Sequence, residues 1–159
     1  MGLGMSNVIS YVLIFIITLS LIGTAYSYIA PKISITRKES EFDYMVVQMK
    51  NLDDRIKDVS RSGEGAKDYL SFTLREGTLI ISNPYDEVTY IILNKQCFQK
   101  RENIGGLYFE YEISGEYCEN KILINYTEIN ITNNVSFSGL FDLWIENIGY
   151  SNKPLLKVG

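Results

Sequence analysis

Val8-Ile9-Ser10-Tyr11-Val12-Leu13-Ile14-Phe15-Ile16-Ile17-Thr18-Leu19-Ser20-Leu21-Ile22 is the stretch on which the fold turns. It lies inside a thirty-residue opening, Met1 to Ala30, that carries no charged side chain. About 20 consecutive apolar residues in a helix cross the roughly 30 Å of hydrocarbon in a bilayer, and this opening is long enough. A removed secretory signal would start with basic residues and stop sooner; here no Lys or Arg precedes the run, which continues through Tyr26, Tyr28 and Ile29. A buried helix of a soluble domain would carry a polar stripe, whereas this one is apolar on every face. The expectation is a membrane-spanning helix, or one that lies among identical helices.

Outward from that stretch, Pro31 is the first residue that disfavours a helix, and a kink or an end is expected there. Thr36-Arg37-Lys38-Glu39 has the spacing of a capping box and predicts a second helical start, unless the kink is mild and the two helices run on. Phe42, Met45, Met49, Leu52, Ile56 and Val59 then recur every three or four residues between charged neighbours, which defines an amphipathic helix over residues 32–62. Its apolar stripe needs a partner, either the chain's own sheet or neighbouring copies. The glycines of Arg61-Ser62-Gly63-Glu64-Gly65 end it.

Beyond Gly63 the period changes from helical to alternating. Leu70, Phe72 and Leu74 alternate with polar residues, and Glu76-Gly77 turns into Thr78-Leu79-Ile80-Ile81, predicting a hairpin. Asn83-Pro84-Tyr85-Asp86 is the next turn, before Val88 to Leu93. Leu107, Phe109, Tyr111 and Ile113 share one face of a strand, with Tyr108, Glu110 and Glu112 on the other. Lys121 to Tyr126, Val135 to Phe137 and Phe141 to Ile145 complete about seven strands, with Trp144 opposite Leu143 and Ile145. The expected class is α+β: a long hydrophobic helix, kinked at Pro31, followed by a mostly antiparallel, sandwich-like β domain over residues 63–159.

Composition narrows the chemistry. A net charge of −4 with scattered basic residues argues against a nucleic-acid partner. The chain has no histidine, which removes the commonest general base and metal ligand, and two cysteines alone make no zinc site. No phosphate loop or nucleophile elbow is present, and neither a catalytic centre nor a cofactor is expected. Acidic pairs stand at Glu110 with Glu112 and at Asp86 with Glu87, and the first, on the wet face of an alternating strand, reads as solubilising surface. Cys97 and Cys118 are either one disulfide or two buried thiols. Asn125-Tyr126-Thr127, Asn130-Ile131-Thr132 and Asn134-Val135-Ser136 are N-glycosylation sequons, which suit an external domain. Lys32, Arg37 and Lys38 after the span point the other way, toward a cytoplasmic flank. Glu39, Glu41 and Asp43 share that flank, and the external placement is the expectation.

Gly4-Met5-Ser6-Asn7-Val8-Ile9-Ser10-Tyr11-Val12-Leu13 resembles the start of archaeal type IV pilin-like proteins, in which a short leader ending in glycine precedes a hydrophobic helix. The likeness continues loosely through Leu52-Asp53-Asp54-Arg55-Ile56, Gly63 to Gly65 and Gly77-Thr78-Leu79-Ile80-Ile81. It implies a leader over residues 1–4, cleavage between Gly4 and Met5 by a prepilin-peptidase-like protease, and a helix over residues 5–31. That helix would leave the membrane to pack with copies of itself or with other pilin-like subunits in a filament core, the β domain outside. The alternative is a permanent single-span anchor whose β domain binds the cell wall, an S-layer or another surface ligand, with Tyr85, Tyr90, Tyr108, Tyr111, Tyr117 and Trp144 as aromatic contacts.

Overall fold

The periodic stripe and the alternating strands meet in one hydrophobic core. In the computed structural model, which describes residues 3–98 and 102–159, the chain is 37% helix and 39% strand, an α+β protein. Met1 and Gly2 of the expected leader lie outside the described residues. Helix α1 spans Leu3–Arg61, and the chain divides into two compact units, one up to Arg37 and one from Lys38 on.

The helix passes Pro31 without ending, and Thr36 to Glu39 are helical, so the second start expected at the capping box does not occur. Proline's fixed φ is itself helical; what it removes is one donor, the i+4 partner of the Ser27 carbonyl. A capping box acts only where the preceding residues leave the helix, and residues 31–35 do not. At the far end, Ser62 N–H closes on the Asp58 and Val59 carbonyls, and Gly63 takes φ +96°, a left-handed stop.

The strands are β1 (Lys67–Thr73), β2 (Thr78–Ser82), β3 (Glu87–Asn94), β4 (Tyr108–Ser114), β5 (Tyr117–Asn125), β6 (Asn130–Ile131), β7 (Val135–Phe137), β8 (Leu140–Tyr150) and β9 (Pro154–Val158). One sheet has the order β1-β8-β9-β6 and the other β4-β5-β3-β2-β7. Every pairing is antiparallel except β6 with β9. Neither β6 nor β9 figures among the expected strands. The first is two residues long, and the second opens on a proline, which a strand tolerates at its first position.

The expected hairpin of β1 with β2 does not form: β1 pairs with β8, from Lys67 opposite Glu146 to Thr73 opposite Leu140, while β2 pairs with β3 and β7. Glu76-Gly77 is therefore a crossover between sheets. Its geometry demands glycine, since φ is +87° and a Cβ there would lie 2.6 Å from the Ile91 carbonyl and 2.7 Å from the Tyr90 side chain. Aromatic contacts join the layers: Phe137 of β7 stacks on Phe141 of β8 at 4.4 Å, and Phe141 on Phe72 of β1 at 5.4 Å.

All six stripe residues of α1 are buried in this core, with Met45, Met49, Leu52 and Ile56 fully inaccessible. The stripe is thus covered by the chain's own sheets. Phe42 meets Phe98 at 5.0 Å, Phe109 at 6.3 Å and Tyr90 at 6.5 Å.

Candidate functional site

Within the unit up to Arg37, the described side chains before Ile29 are exposed on all sides of α1, including Val8, Tyr11, Phe15, Ile17, Leu21 and Tyr26. By length and composition this helix is able to cross a membrane. Its hydroxyls are turned inward on its own backbone: Thr18 donates to the Ile14 carbonyl at 2.7 Å, Ser20 to Ile16 at 2.9 Å, Thr24 to Ser20 and Leu21 at 3.0 Å, and Ser27 to Thr24 at 2.9 Å. A helix in hydrocarbon has no water to satisfy such groups, and back-bonding meets that requirement. At the end of the apolar run, Lys32 Nζ donates to the Tyr28 hydroxyl at 2.9 Å and sits 4.4 Å from that ring's centroid. Gly4 and Met5 lie in the first turns of α1.

In the unit from Lys38 on, Cys97 and Cys118 are joined as a disulfide that ties the chain after β3 to the start of β5. The three sequons are presented differently. Asn125 ends β5 and is exposed, as is Thr127. Asn130 is half-buried in β6, and its Thr132 donates its hydroxyl to the Leu156 carbonyl at 3.0 Å. Asn134 is exposed, and its Oδ1 accepts the Asn83 N–H at 2.6 Å.

Of the aromatic candidates, Tyr85, Tyr108, Tyr111 and Tyr117 are exposed and Trp144 is partly buried, with Lys157 over its ring. Tyr90 is in the core, its hydroxyl bonded to the Glu76 carbonyl at 2.8 Å. It contributes nothing to the surface. Along β4, an edge strand, the apolar row leaves the core after Phe109, so that Tyr111 is half-exposed and Ile113 is 71% exposed. Glu110 and Glu112 are exposed on the opposite face, Glu112 bonded to Lys121 at 3.1 Å. That ion pair and Glu119 push the Lys121 ammonium above its usual pKa. Asp86 accepts the Ile131 N–H at 2.6 Å, and Glu87 accepts the Thr89 hydroxyl; both carboxylates hold loops or strands in place.

Sequence reasoning missed a group of buried polar residues. Asp53 is inaccessible, with one oxygen 2.6 Å from Lys57 Nζ and the other, Oδ1, without a hydrogen-bond partner. The Tyr126 hydroxyl lies beside it without a well-formed hydrogen bond, and burial, followed by the Asp53 charge and a side-chain interaction with that carboxylate, pushes its pKa well up. Asn147 donates from Nδ2 to the Val59 and Ser60 carbonyls at 3.4 and 3.3 Å, and its Oδ1 accepts the Gly149 N–H at 3.0 Å. Strand parity carried that signal, because Leu143, Ile145 and Asn147 fall on one inward face. Helical spacing marks Asp53 too, four residues after Met49 and three before Ile56, and strand parity marks Tyr126, in step with Ile122 and Ile124.

Several clefts open on this unit, among them two of about 420 Å³. One is lined by Lys38, Glu76, Ile80, Ile91, Leu93 and Glu119, and there Lys38 is already spent on the Leu93 carbonyl at 2.9 Å and on Glu76 at 3.4 Å. The other is lined by Lys57, Ser60, Arg61, Asn125, Tyr126 and Thr127 among others. Among the described residues no group of three or more Asp, Glu, Cys or His is placed to hold a metal.

The architecture defines a class: one long apolar N-terminal helix followed by a β domain, a layout compatible with pilin-like proteins. Comparison with protein-family models, curated proteins and solved structures finds no match.

Proposed function

We propose that the chain is a structural subunit, pilin or minor-pilin-like, of an archaeal surface filament, assembled through the helix over residues 5–31. One observation carries this: the stripe from Phe42 to Val59 is buried inside its own unit, whereas the side chains over residues 8–29 are exposed within theirs. A surface so large and so uniformly apolar requires lipid or other apolar helices around it. A helix of this kind exchanges lipid neighbours for identical helices at little solvation cost, which is the transfer that filament assembly needs. The partners are then the membrane, copies of the chain or related subunits, and a prepilin-peptidase-like protease acting between Gly4 and Met5. The disulfide and the exposed Asn125 and Asn134 support an external β domain.

A second reading, a permanently anchored module whose β domain binds the cell wall or S-layer, is favoured by the exposed Tyr85, Tyr108, Tyr111 and Tyr117. Peptide mass spectrometry on sheared filaments and washed membranes from the same cells separates the two. A peptide beginning at Met5 in the filament fraction is the expected result. An intact Met1 start confined to membranes would overturn the filament proposal in favour of the anchored module.

A further inference from the structure

We propose that Tyr28 and Lys32 form a clasp for the phosphate of a lipid headgroup and thereby fix the depth at which α1 sits in the bilayer; this rests on the membrane-spanning stage of the proposed function. The chemistry begins with donors. A lysine ammonium has three, and Tyr28 takes one of them at 2.9 Å. Because the tyrosine oxygen accepts in that bond, its own O–H remains available to donate. The pair therefore presents donors from two side chains one turn apart, with a positive charge between them, to an acceptor that carries only oxygens. A phosphate diester meets that description.

Nothing nearby on the helix neutralises the cation. The residues within one turn of Lys32 are Tyr28, Ile29, Ile35 and Thr36, and the first carboxylate in the sequence is Glu39. Pro31, between the two clasp residues, withdraws the i+4 donor from the Ser27 carbonyl. A carbonyl that lacks its usual donor is costlier in hydrocarbon than among hydrated headgroups, so the proline too belongs at the membrane surface.

Length agrees. From Tyr11 to Tyr28 the helix rises about 26 Å, close to the roughly 30 Å hydrocarbon layer, so the two exposed tyrosines reach its opposite interfaces. Ring-and-hydroxyl side chains favour those interfaces, and a lysine just beyond extends its stem outward to the headgroups. Between them the hydroxyls of Thr18, Ser20, Thr24 and Ser27 are bonded back to the helix.

The test uses the full-length chain in vesicles of phosphatidylcholine with a minor fraction of phosphatidylglycerol. Tyr26→Trp in a Trp144→Phe background supplies one fluorophore near the clasp while leaving Tyr28 and Lys32 intact. Lipids brominated at different depths then report its position. With Lys32 present, quenching is strongest near the glycerol level, about 15 Å from the bilayer centre, which is half the hydrocarbon thickness. Lys32→Gln moves the probe inward by at least about 3 Å, two residues of helical rise, and Lys32→Arg leaves it in place. An inserted probe whose depth ignores Lys32→Gln, or shifts equally with Lys32→Arg, overturns the clasp while leaving the span intact. A probe that no depth of bromine quenches would overturn the span itself, and the clasp with it.

Discussion

Asn147 shows how a single buried amide sets the junction between a helix end and a sheet. Its side chain bonds the last-turn carbonyls of α1 and the Gly149 N–H, groups that the end of a helix and an irregular strand both leave open. Replacing it by alanine strands the Gly149 donor in the core, and Asn147→Ala should cost about 2 kcal/mol in denaturant unfolding. Tyr126 is the opposite case, a buried hydroxyl set beside the Asp53 carboxylate without a well-formed hydrogen bond. Its pKa is raised in the folded state, chiefly by burial, so folding is favoured fully below the ordinary tyrosine value of about 10. Above that pH the unfolded chain ionises first, and the advantage is lost as pH rises toward the folded value. Tyr90, also raised by burial, adds to the same alkaline loss. Tyr126→Phe should therefore flatten, without abolishing, the fall of the thermal midpoint above pH 10, and should change stability at pH 7 by less than about 1 kcal/mol. An unchanged alkaline slope would mean that the hydroxyl is open to water.

At the scale of elements, the α1 stripe makes the sharpest demand. Met49 is fully buried, while Val47, two residues earlier on the opposite side of the helix, is 65% exposed. Met49→Ala should cost about 2–5 kcal/mol by cavity formation, and Val47→Ala less than about 0.5 kcal/mol. Equal losses in chemical denaturation would contradict the packing. That stripe was legible in the sequence because helical periodicity is local, and so were the glycine stop at Gly63 and the turn at Asn83 to Asp86. The pairing of strands was not. Nothing within Leu70 to Ile81 reveals that Phe72 is destined for Phe141 while Leu79 pairs across the next turn with Tyr90, since a partner some seventy residues away, as for Phe72, is chosen by the whole core. At Pro31 the sequence allowed a bend, an end or a helix that runs on, and the helix runs on because its length absorbs the one lost donor. The buried polar residues were overlooked because the stripe was traced through apolar residues alone, whereas Asp53, between Met49 and Ile56 in helical spacing, lies on the same buried face.

At the scale of the molecule, charge and hydrophobicity are segregated along the chain. Lys32 and Arg37 are the only charged side chains in the first 37 residues, which leaves thirteen basic and nineteen acidic residues, net −6, from Lys38 on. That second unit buries its own helical stripe, closes its own disulfide and carries an acidic surface, all of which a soluble domain requires. The first unit has the reverse properties, an exposed apolar cylinder with two cations at one end. A fragment beginning at Lys38 should therefore fold alone: monomeric by sedimentation, strand-rich with one helix by circular dichroism, and cooperative in thermal unfolding. The full chain should need detergent or lipid. If the fragment aggregates while the full chain in detergent stays folded, then the stripe from Phe42 to Val59 depends on residues before Lys38 or on neighbouring copies, and the division of labour proposed between the two units would be wrong.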